Sequence, residues 1–169
     1  MTGVQTCALP ILAIIAIAFG QRLTPYLNYA ATLNWVPHAP NLTLLDQMTP
    51  AIKIHLFAAL SALGLGAALL IGVKGNVAHR TLGWAWVLLM LTTAVSAFFI
   101  RTLNPGHLSF IHLLAGWTVV VAPLGVFFAR THNVARHRRT MTGLFVGGLI
   151  IAGLFAFMPG RLMWQMFFG

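Results

Sequence analysis

Acidic side chains are almost missing from this chain. One residue in 169, Asp46, is Asp or Glu, against ten Lys and Arg. A single carboxylate excludes paired-carboxylate hydrolysis, a carboxylate proton relay and an acidic magnesium or calcium site. Asp46 also lies outside every apolar run, so a transporter coupled to protons or sodium has no evident coupling residue. Cysteine is equally scarce: Cys7 stands alone, which rules out an internal disulfide or a cysteine metal cluster. Charge of either sign is thin, 7% of residues against 59% apolar. A soluble domain carries about 25% charged residues. The composition is therefore that of a membrane protein. The basic excess is not a nucleic-acid footprint, because it sits at the ends of apolar runs and suits the cytoplasmic face and anionic head groups.

What the chain has instead is long apolar runs. Four of them, 54–73, 81–100, 108–129 and 140–160, hold about 20 residues each, enough at 1.5 Å rise to cross a hydrocarbon core of about 30 Å. The connections 74–80, 101–107 and 130–139 are short, so consecutive helices should be antiparallel neighbours in one bundle. The densest charge is Ala135-Arg136-His137-Arg138-Arg139-Thr140-Met141, between two of the runs. It reads as a loop. Lys74, Arg80, Arg130, Arg136, Arg138 and Arg139 fall on its side, while Arg22, Lys53, Arg101 and Arg161 fall on the other. That bias makes the 130–139 loop cytoplasmic, with anionic lipid head groups as the partners of Arg136, Arg138 and Arg139. A reporter fused after Arg136 should be cytoplasmic and one fused after Gly106 periplasmic. Finding both on one side would end this topology.

The amino end reads differently. Thr2-Gly3-Val4-Gln5-Thr6-Cys7-Ala8-Leu9-Pro10-Ile11 resembles a translated short-read sequencing adapter, with Met1 standing for its GTG codon. Residues 1–11 are therefore excluded from fold reasoning, and 12–20 is the remnant of a first, truncated membrane helix. Residues 21–50 hold Pro25, Pro37, Pro40 and Pro50, with Tyr26, Tyr29 and Trp35 suited to an interface. This is an extracytoplasmic loop with a short surface helix near 27–33. Residues 162–169, with Trp164 and two phenylalanines, form an interfacial tail. The expected fold is all-α: a polytopic integral membrane bundle with a four-helix core at 51–161.

Four histidines fall into two layers on that topology. His55 and His112 lie near the outer ends of alternate helices, and His79 and His137 near the inner ends of the other two. A haem iron with two imidazole ligands needs one nitrogen from each of two opposed helices at equal depth. Ala59, Gly83 and Gly116 stand one turn after His55, His79 and His112 and leave room for a ring edge, while Met141 fills that place after His137. The pattern makes these four histidines candidate ligands of haem b, with His55 and His112 on the iron of the outer group. The plainer reading has small residues that let helices approach and histidines that sit among head groups. His107 could support a propionate or replace His112, and His132 is loop decoration.

Several motifs recur in order: Ile54-His55-Leu56-Phe57-Ala58-Ala59, Lys74-Gly75, His79-Arg80-Thr81-Leu82-Gly83-Trp84, Ser96-Ala97-Phe98-Phe99-Ile100, Ile111-His112-Leu113-Leu114, Ala135 to Met141 as above, and Met158-Pro159-Gly160-Arg161. Together they resemble the bacterial membrane proteins of the domain-of-unknown-function family 2306, over about residues 50–169. The resemblance implies a multi-pass protein of the bacterial inner membrane and no particular reaction. More distantly, histidines on alternate helices are similar to transmembrane di-haem cytochromes b, although there all four lie within the helices. Two functions from different classes follow. One is b-type haem electron transfer between a quinol or other redox partner and an acceptor. The other is a non-redox scaffold or accessory subunit that binds lipid or a partner through its basic loop.

Overall fold

A computed structural model describes residues 24–25, 27–29, 31–33, 36–100 and 110–168. The adapter-like segment, the remnant at 12–20, Arg22, Arg101 and His107 lie outside the described residues. The described chain is helical, without a strand, and runs α1 Thr43–Gln47, α2 Pro50–Ile71, α3 Val77–Phe98, α4 Phe110–Arg130 and α5 Val134–Gly143. A π-helical stretch, Leu144–Ile151, continues α5 without a break into α6 Ala152–Ala156, and α7 Leu162–Phe168 follows. Among the described residues, four helices are long and apolar enough to cross a membrane: α2, α3, α4 and the fused run Val134–Ala156.

Each of these four helices except α4 begins earlier than hydropathy alone suggests, because capping chemistry sets the start. α2 opens on Pro50, whose missing N–H would be unbonded in a first turn anyway. The Asn76 side chain accepts from the His79 N–H at 2.7 Å and starts α3. The Asn133 side chain accepts from the Arg136 N–H at 3.2 Å and starts α5. This corrects the expected loop at 130–139. The turn is only 131–133, with His132 at a φ of 58°, and Arg136, Arg138 and Arg139 ride on the helix itself. The π-helical stretch departs from the plain α-helix that the apolar run 140–160 suggests.

Packing follows a ring. α2 lies on α3, α3 on α4, α4 on α5, and the π stretch closes against both α2 and α4. Consequently α2 and α4 face each other diagonally. The core joins Ala62, Trp86, Val87, Met90, Ala122, Leu144, Phe145 and Leu149. A tight point is Gly66, where an added Cβ would stand 2.6 Å from both Trp86 Nε1 and the Phe145 ring. There the Trp86 indole N–H donates to the Ala62 carbonyl at 2.9 Å. Outside, large apolar side chains face away from the bundle, among them Leu113 at 71% and Leu154 at 67% exposure. A surface that apolar needs lipid or another apolar cover.

The chain divides into two compact units, Asn41–Met158 and a second made of Met1–Pro40 with Pro159–Gly169. In the second, the His38 N–H donates to the Phe167 carbonyl at 2.9 Å. Trp164 stacks on Phe168 with ring centroids 4.5 Å apart. Residues 27–29 and 31–32 are helical, within the surface helix expected near 27–33.

Candidate functional site

The four buried polar side chains of the described residues are Thr93, Ser96, His112 and Thr118. Three of them gather at the carboxyl end of α3. His55, half-buried in the second turn of α2, turns inward and meets that end. Its Nδ1 lies 2.9 Å from the Thr93 carbonyl oxygen and 3.2 Å from Ser96 Oγ. A carbonyl can only accept, so Nδ1 carries the proton and Nε2 keeps the lone pair. The Ser96 hydroxyl donates to the same carbonyl at 2.9 Å, and the Thr93 hydroxyl donates to the Leu89 carbonyl at 2.8 Å. His55 is thereby held in one tautomer and one orientation.

His112 reaches the same end from the other side. It is the third residue of α4, 7% exposed, and its ring lies 6.1 Å from that of Phe98, the last residue of α3, tilted by 52°. An added Cβ on Gly116 would stand 4.0 Å from Phe98 Cζ, so Phe98 covers the space that the small residue leaves. Ala94, Ala97 and Ala115 pack together beside it and let α3 and α4 approach closely. The structure thus brings His55 and His112 to the last six residues of α3, from helices diagonal to each other. Ala59, the small residue one turn after His55, packs against the core.

At the other end, His137 places Nδ1 2.8 Å from the Gly125 carbonyl oxygen. By the same reasoning Nδ1 is the donor and Nε2 is free of it. Gly125 permits the approach: an added Cβ would meet Met141 Cε at 2.5 Å and Thr140 Cγ2 at 3.2 Å. His79, in the first turn of α3, is close enough for His137 and Lys74 to act on it electrostatically. The fourteen residues from His79 to Thr93 separate the two ends by about 21 Å of helix. Gly83, one turn after His79, has nothing within 4 Å of an added Cβ. His132 is exposed in the α4–α5 turn, and the His38 ring bonds the Ala39 carbonyl oxygen next to it at 2.7 Å. Among the described residues no group of three or more His, Cys, Asp or Glu side chains could hold a metal ion, whereas a bis-histidine centre needs two.

Sequence reasoning missed the partners of His55. Ser96 left a signal, a hydroxyl three residues after Thr93 in an otherwise apolar run. The Thr93 carbonyl left none, since every residue has one. Comparison with protein-family models, with curated proteins and with solved structures finds no match.

Proposed function

We propose that this chain is a multi-pass protein of a bacterial inner membrane that holds a b-type haem between His55 and His112 and passes electrons between a quinol or other redox partner and an acceptor. The observation that carries the reading is the fixed imidazole of His55. Metal-ligating histidines characteristically donate their second ring nitrogen to a carbonyl or carboxylate, which sets the tautomer and raises the basicity of the ligating nitrogen. The Thr93 carbonyl plays that part for His55, and the Gly125 carbonyl plays it for His137.

The donor chemistry fits the group: imidazole nitrogens of His55 and His112, which both reach the carboxyl end of α3, would hold it. When bound, the haem supplies a one-electron couple. The chain's own part is to hold His55 in its ligating tautomer, to keep water from His112 by burial, and to insulate the centre with the alanines of α3 and α4. His79 and His137 are the corresponding ligands proposed for an inner group. The basic start of α5 is proposed as the cytoplasmic end, with Arg136, Arg138 and Arg139 among anionic head groups. The ordered motifs keep kinship with family 2306 as part of the proposal. A non-redox scaffold is the competing reading, favoured by Arg138 and Arg139, which have no carboxylate partner among the described residues.

The experiment is a redox difference spectrum of detergent-extracted protein expressed with ample haem. A Soret band that moves on adding dithionite supports the cytochrome reading. A flat difference spectrum favours the scaffold.

A further inference from the structure

At the start of α5, Ala135, Arg138, Arg139, Thr142, Gly143 and Val146 line a shallow, open depression of about 380 Å³. The spacing of these residues puts them on one side of the helix. Other basic side chains nearby are occupied: the Arg130 guanidinium lies 5.7 Å over the Trp84 ring, and that of Arg136 5.8 Å over the Phe128 ring. Among the described residues, the side chains of Arg138 and Arg139 have no hydrogen-bond, ion-pair or ring partner. One acid against ten basic residues leaves the counter-charge to come from outside the chain.

The floor and the continuation of the depression are apolar. An added Cβ on Gly143 would meet nothing within 4 Å, so the surface is open there. Beyond it Val146 is 41% exposed, followed on the same run by Ile150 and Leu154, both exposed. Two guanidiniums and a hydroxyl at one end of an apolar strip have the polarity of a single amphiphile. Arg forks suit phosphate oxygens, and a neighbouring hydroxyl can donate a further hydrogen bond.

We infer that this face is a binding site for one anionic diacyl phospholipid. Its phosphate lies between Arg138 and Arg139 with the Thr142 hydroxyl donating to it, and one acyl chain runs over Gly143 and Val146 toward Leu154. The inference rests on the reading that the chain spans a bilayer and does not depend on haem.

Native mass spectrometry of the full chain in mild non-ionic detergent tests it, with dioleoyl phosphatidylglycerol and dioleoyl phosphatidylcholine as probes. One phosphatidylglycerol should be retained per chain, and phosphatidylcholine far less. A basic residue at an anionic surface is worth roughly a factor of five in affinity, so the double variant Arg138→Gln/Arg139→Gln should weaken retention about 25-fold. Gly143→Phe should also displace the lipid, because the new side chain starts from open space and fills the depression. Equal retention of both lipids, or undiminished retention by Gly143→Phe, overturns the inference and leaves the membrane reading standing. Release of the wild-type chain from membranes by an alkaline wash overturns both.

Discussion

Replacing His112 with Leu should abolish the dithionite-reducible Soret band while leaving the amount of protein in the membrane unchanged. His112 is 7% exposed, so its imidazole meets the bundle interior, and Leu has a similar volume without a nitrogen. Hydrophobicity of the span rises, which favours insertion. What the change removes is one of the two imidazoles that would hold the haem, and one ligand cannot make a bis-imidazole centre. His55→Leu should have the same effect and in addition leave the Ser96 hydroxyl with the Thr93 carbonyl alone. His132→Leu is the control, since its side chain is exposed in a turn and contributes no ligand in this account. A band that survives both His112→Leu and His55→Leu would remove these residues from the site.

Gly66→Ala should lower the thermal midpoint by about 2–12 °C, whereas Gly64→Ala, two residues away, should leave it unchanged or raise it. The added Cβ at Gly66 would stand 2.6 Å from Trp86 Nε1 and 2.6–2.7 Å from the Phe145 ring, far inside contact distance. Overpacking of this kind costs about 1–3 kcal/mol. Pushing the indole away also weakens its bond to the Ala62 carbonyl, a further contribution on the order of 1 kcal/mol. The gain in helix propensity from Gly to Ala, about 1 kcal/mol, offsets part of that. A chain of this size moves by about 2–4 °C per kcal/mol. At Gly64 the added Cβ meets nothing within 4 Å, so only the propensity gain remains. Circular dichroism in detergent reads both. Equal midpoints for the two variants would mean that α2, α3 and the π stretch do not meet at Gly66.

The four long apolar helices were legible because each is a run of about 20 apolar residues, and nothing subtler is needed to find them. Their first turns were less so. Hydropathy sees Lys53, His79, Arg80 and the cluster from Arg136 to Arg139 as ends of spans. Helix initiation instead answers to Pro50, Asn76 and Asn133, whose effects reach several residues beyond themselves. The π-helical stretch Leu144–Ile151 carries no marker in its uniformly apolar side chains and glycines. At the candidate site, the alternation of histidines along the chain indicated which of them share an end of the bundle. The acceptors that orient His55 and His137 are main-chain carbonyls of Thr93 and Gly125, which sequence cannot single out. Phe98 beside His112 was likewise hidden, since its position depends on how α3 ends.

The most direct measurement is the haem content of the chain itself, read as pyridine haemochrome against amino-acid analysis after purification and again after hemin is added and unbound hemin removed. The account predicts at least one haem b per wild-type chain, and none in a His55→Leu/His112→Leu double variant that remains folded and membrane-bound. A wild-type chain that stays free of haem through both steps would contradict it.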